Sequence, residues 1–175
     1  VNNHKTYCYT GGKPIDAAKP TVVFIHGVLN DHSVWILQSR YMANHGWNVL
    51  AVDLPGHCRS EGEAPASVEE AAAFIAALLD AAGIQRAALV GHSWGSLIGV
   101  EAASMLKDRI THLVMVGTAY PMKVSPALIE ASLNDPAAAL KMINVFSRST
   151  LSAPPSALGP GTWVYGASMA LGRRV

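Results

Sequence analysis

Charge is scarce in this chain: 14% of its 175 residues are charged, and the formal net charge is +1. Acids and bases are interspersed, which argues against a nucleic-acid surface or a membrane as the main partner. Cysteine is scarcer still. Cys8 and Cys58 stand far apart, with no CxxC spacing and no Cys/His ligand pattern, so neither a disulfide framework nor a metal motif is read. Reduced thiols in a cytoplasmic protein are expected, with no metal and no organic cofactor. No charged stretch leading into an apolar one opens the chain, so no signal peptide is read. The longest uncharged run, Ser149 to Gly172, contains Pro154, Pro155, Pro160 and four glycines. Those residues exclude a continuous membrane-spanning helix there.

What the chain does have is apolar residues, which make up half of it. They are grouped. "PTVVFIHG" (20–27), "WNVLAVDLPG" (47–56), "RAALVG" (86–91) and "ITHLVMVG" (110–117) are short apolar runs, each reaching a glycine. Such continuous runs mark strands buried on both faces. "KTYCYT" (5–10) alternates and predicts a further short strand. Between the runs lie helical patterns: 30–46, with Asn30 or Asp31 as cap; 67–83, with a Ser67/Glu70 capping box and Gly83 at its end; and 94–106. Strand–helix alternation implies an α/β fold with a doubly wound, mostly parallel sheet and helices on both faces. After Gly117 the alternation stops and short helices broken at Pro126 and Pro136 are expected. The expected organisation is a core over 1–120 and a cap or lid segment, incomplete, over 121–175.

The stretch "ALVGHSWGSLIGV" (88–100) sets Ser93 between Gly91 and Gly95, at G-x-S-x-G spacing, where a strand turns into a helix. Alone this pattern is weak. Here it follows His26-Gly27 at the end of one run, and Asp53-Leu-Pro-Gly-His57 with Arg59-Ser60 after the next. Loops after successive parallel strands gather along one sheet edge, where doubly wound folds place their sites. In this order and spacing, residues 20–120 resemble the α/β-hydrolase fold family, in serine hydrolase or esterase-like form. The resemblance implies a nucleophile elbow with Ser93 as the serine nucleophile, and an oxyanion hole made by the backbone N–H groups of Val28 and Trp94.

The other conspicuous residues have plainer readings. His26 is expected to brace its loop, His57 to belong to a structural turn, His92 to pack, and Asp53 to organise the turn that follows it. His32 and Trp35 could border a pocket, though capping and core packing explain them equally. Cys58 occupies a place where the family commonly has glycine, which is tolerable if the backbone there avoids positive φ.

A serine nucleophile needs a base and a carboxylate, which in this fold follow it in the chain. His112 is the histidine after Ser93, and it falls near the start of its strand, far below the site. Glu101, Asp108, Glu130 and Asp135 are not at a strand end. The triad acid and histidine are therefore expected not to be present in this chain, which is expected to be C-terminally truncated. The expected function is a hydrolase cleaving an ester or similar acyl bond of a moderately hydrophobic small-molecule substrate through an acyl-enzyme on Ser93. The alternative is a non-hydrolytic, ligand-binding or receptor-like member, or an inactive fragment. No nucleic acid or membrane partner is expected; a homo-oligomer is compatible with the sequence.

Overall fold

Thr21–Ile25, Asn48–Val52 and Ala87–Ala88–Leu89 are almost entirely excluded from solvent, as continuous apolar runs require when both faces of a sheet are covered. The computed structural model describes residues 1–146, so expectations for the Pro/Gly-rich run 149–172 lie outside the described residues. Among the described residues no helix is long and apolar enough to cross a membrane. The chain divides into a unit over Val1–Thr118 and a second beginning at Ala119.

The first unit is a five-stranded sheet: β1 (Cys8–Tyr9), β2 (Thr21–Ile25), β3 (Asn48–Val52), β4 (Ala87–His92) and β5 (Ile110–Val116). The order across the sheet is β1-β3-β2-β4-β5; all pairings are parallel except β1 with β3. This is the doubly wound, mostly parallel sheet with flanking helices. Ile25 lies opposite Val52 on one side and Gly91 on the other. That register brings the ends of β2, β3 and β4 level, so His26, Asp53 and His92 leave the sheet side by side.

The two sheet faces separate by alternation along each strand. Val23, Ile25, Leu50, Val52 and Leu89 pack against α2 (Val68–Ala81) and α3 (Trp94–Leu106), through Ile75, Leu79 and Ile98 among others. Val22, Phe24, Val49, Ala51 and Ala88 face the opposite way, with Trp35 and Ala43. Ser67 caps α2, its hydroxyl accepting the Glu70 N–H at 3.1 Å. Glu70 reaches back to the N–H of Ala66 rather than of Ser67, a variant of the expected capping box.

Two segments differ from expectation. The helix expected over 30–46 is split into a 3-10 turn, His32–Trp35, and α1 (Ile36–Asn44). Asp31 caps the tight turn, and Trp35 is drawn into the core against Phe24, their rings 5.1 Å apart. Residues 5–10 pair as strand only at Cys8–Tyr9, but Tyr7 still bonds the loop after β3: its carbonyl accepts the Asp53 N–H at 3.0 Å. In the second unit the expected short helices are present, with their breaks at the two prolines: α4 (Pro126–Asn134) and α5 (Pro136–Phe146) each begin at a proline, the first helical position, where proline is tolerated. Ser125 and Asp135 supply the caps.

Candidate active site

Ser93 stands between β4 and α3 with φ 54 and ψ −123, a conformation non-glycine residues rarely adopt. Its N–H donates to the Val116 carbonyl at 2.8 Å, and its carbonyl accepts the Ser96 N–H at 2.9 Å and the Ser96 hydroxyl. The flanking glycines are steric necessities. A Cβ on Gly91 would fall on the Gly95 carbonyl, and one on Gly95 would fall on the carbonyls of Ile25 and His26. Only without those atoms can the start of α3 settle on the end of β2.

The loop after β2 comes to the same place. A Cβ on Gly27 would lie 3.1 Å from Ser93 Cβ, so this backbone runs directly beside the serine. Val28 follows, its side chain half exposed. Trp94 is the first residue of α3, where a helix has no internal partner for its N–H. Ser93, Val28 and Trp94 are thus assembled from two strand ends and one helix start.

The loop is held by His26, which is fully buried. Its Nδ1 lies 2.8 Å from the Gly27 carbonyl, and its Nε2 is 3.1 Å from the Leu54 N–H. Nε2 therefore accepts and Nδ1–H donates, a neutral ring with both nitrogens used. Burial pushes its pKa down to about 4. His57 packs on it, ring centroids 5.0 Å apart, and turns its own Nδ1 to the Pro55 carbonyl. His92 lies against Trp35 and close to Gly27 and Gly117, half-buried, which lowers its pKa. His112 pairs with Ala88, four residues before His92, roughly 13 Å down the strand.

Asp53 is fully buried and ties two loops. One carboxylate oxygen accepts the N–H of His32 and faces its Nδ1, both at 2.8 Å; the other accepts the Arg59 N–H at 3.3 Å. Its carbonyl accepts the Ser60 hydroxyl at 2.7 Å. Cys58, within this loop, has φ 46: the backbone does enter the positive region, contrary to the condition set for a cysteine there. Sequence reasoning also left His32 without a firm role. Its partner lies 21 residues away, and no local pattern reveals that.

A profile of the alpha/beta hydrolase fold matches residues 20–154. The chain belongs to the alpha/beta hydrolase fold family. Among relatives, an epoxide hydrolase from Caballeronia sordidicola is 37% identical over 95 residues, covering 53% of this chain and 29% of that protein. A 2-hydroxy-6-oxononadienedioate/2-hydroxy-6-oxononatrienedioate hydrolase from Paraburkholderia phymatum is 32% identical over 145 residues, 74% of this chain and 50% of that protein. The chain thus spans half or less of the length of these two relatives. Among solved structures, an esterase from Exiguobacterium antarcticum superposes with TM-score 0.75 at 19% identity, over 99% of this chain and 65% of that one. At that identity the likeness speaks for the fold alone.

Proposed function

We propose that this chain carries the nucleophile and oxyanion hole of a serine hydrolase acting on an ester or similarly activated acyl bond. The observation that supports this best is the strained turn at Ser93, flanked by two obligatory glycines and lying beside the Gly27–Val28 backbone. In the proposed reaction Ser93 Oγ attacks the carbonyl carbon and gives its proton to a general base. The oxyanion is received by the Val28 and Trp94 N–H groups, each worth about 3 kcal/mol by the effect of removing such donors elsewhere. Collapse expels the alcohol, and water then releases the acid from the acyl-enzyme.

The residue type at position 93 chooses among the relatives' chemistries. A serine that opened an epoxide would be left as an ether, which water does not cleave, whereas an acyl-serine is hydrolysed readily. Ser93 therefore favours acyl transfer. His112 is too far down β5 to serve as base, so the proposal assigns the base and its carboxylate to residues outside these 175. Residues 121–175 are proposed as part of a cap that selects a moderately hydrophobic small molecule. A reducing, cytoplasmic setting, with Cys8 and Cys58 as thiols, is part of the same proposal.

The test is intact mass spectrometry of the purified protein before and after a fluorophosphonate, with p-nitrophenyl butyrate hydrolysis alongside. One adduct mapped to Ser93 and lost in Ser93→Ala is the expected result. A wild-type protein that includes the base and its carboxylate yet takes up no adduct and hydrolyses no ester would overturn the proposal.

A further inference from the structure

Asp31, His32 and Cys58 form a second cluster of reactive groups, and the proposed hydrolysis uses none of them. A carboxylate oxygen, a ring nitrogen and a thiol sulfur, one from each residue, all lie within 4.8 Å of one another. Asp31 is 1% exposed; the other two are half-buried. The residues come from two loops, that after β2 and that after β3, so the cluster lies across a junction rather than along one segment.

Its chemistry is that of a cation site. Thiolate, imidazole and carboxylate together are the donors that zinc and its softer relatives take, whereas magnesium and calcium take oxygen alone. The donors are also oriented in advance. His32 Nδ1 is held 2.8 Å from Asp53 Oδ1, the carboxylate–imidazole contact that fixes the ring of a metal-binding histidine and raises its basicity. Asp31 is fixed by the Ser33 N–H, which donates to it at 2.8 Å. Tetrahedral ligands around zinc stand about 3.5 Å apart, so the donors need to close by about 1 Å.

We propose that Asp31, His32 and Cys58 bind a thiophilic divalent cation of the zinc class, which clips the loop after β2 to the loop after β3. On binding, the cation forms a bond to sulfur and the thiol proton leaves to solvent. The loop after β2 also carries Val28, so occupancy would restrain the backbone beside Ser93, but the site stands on its own donors.

The test is titration of the purified, reduced protein with cadmium, read by the sulfur-to-cadmium charge-transfer absorption in the ultraviolet and by equilibrium dialysis, with zinc as competitor. One equivalent bound, with the band displaced by zinc, is expected. Cys58→Gly removes the sulfur and suits the positive φ, so the fold survives, as circular dichroism checks; the band should vanish. Asp31→Asn keeps an oxygen for the Ser33 N–H, and His32→Gln keeps a polar side chain. Each should weaken binding about tenfold or more. Absence of a band in the wild type overturns the proposal. So does a band that survives Cys58→Gly and is lost in Cys8→Ala, or an affinity that neither Asp31→Asn nor His32→Gln changes.

Discussion

Lowering the pH should unlock the loop beside Ser93 through His26. Its ring is wholly buried, with Nε2 accepting from Leu54 and Nδ1–H donating to Gly27, so the folded state has no place for a second ring proton. Burial depresses the pKa from 6.5 to about 4. Between those values the unfolded chain takes up a proton that the folded chain refuses, so stability rises with pH. The contribution is fully present above about pH 6.5 and is lost as the pH falls toward 4, about 3 kcal/mol in all. Between pH 7 and pH 5 the loss is about 2 kcal/mol. His92, its pKa also lowered by burial, acts in the same direction, whereas Asp31, Asp16 and Glu69 have lowered pKa values and matter only at greater acidity. Urea unfolding at the two pH values reads the loss. His26→Gln, which keeps one donor and one acceptor, should be less stable at pH 7 but lose about 2 kcal/mol less on acidification. Parallel pH dependence in wild type and variant would refute this reasoning. So would a His26 ring that titrates near 6.5 by NMR, a measurement that needs no variant.

Gly95→Ala sets a methyl group against the carbonyls of Ile25 and His26, backbone atoms that cannot turn aside. We expect a loss of about 3 kcal/mol in thermal unfolding together with loss of fluorophosphonate labelling; a change under about 1 kcal/mol would contradict the close approach. Among the described residues β5 pairs on one side, with β4, and its Leu113, Val114, Met115 and Val116 are all more than a third exposed. Hydrogen exchange should therefore find the β5 amides directed away from β4 exchanging fast and those of β2 protected close to the global limit; a uniformly protected β5 would contradict the sheet order.

What the sequence disclosed depended on how local the cause was. Three of the apolar runs were legible because a strand covered on both faces needs a nearly continuous apolar run, as in residues 22–25; the fourth, β5, is as apolar but largely exposed, contrary to the expectation of a strand buried on both faces. Ser67 was legible because a cap acts within one turn of helix. The turn at Ser93 was legible because its sterics demand Gly91 and Gly95 at fixed offsets. The split of 30–46 was not. Its cause is the docking of Trp35 on Phe24 and of His32 on Asp53, partners 11 and 21 residues away that helical periodicity does not register. Nor was the positive φ of Cys58. It follows from the loop closing on itself, with His57 N–H on the Leu54 carbonyl, Ser60 N–H on the His57 carbonyl and Ser60 hydroxyl on the Asp53 carbonyl. A side chain's identity says little about a backbone angle imposed from both ends.

The conformation of Ser93 has the same character, and this decides how the serine can be tested. A non-glycine residue at φ 54 and ψ −123 costs on the order of 1–3 kcal/mol. Three hydrogen bonds hold it there: its N–H to Val116 on β5, and its carbonyl from the N–H and the hydroxyl of Ser96 on α3. The Ser96 hydroxyl is itself anchored by Thr118, which donates to it at 2.7 Å. At about 1 kcal/mol each, these bonds offset the strain, and all of them use the backbone of Ser93. The side chain takes no part. Ser93→Ala therefore keeps the forces that shape the turn and removes only the hydroxyl, so a loss of labelling in that variant reports on chemistry and not on folding.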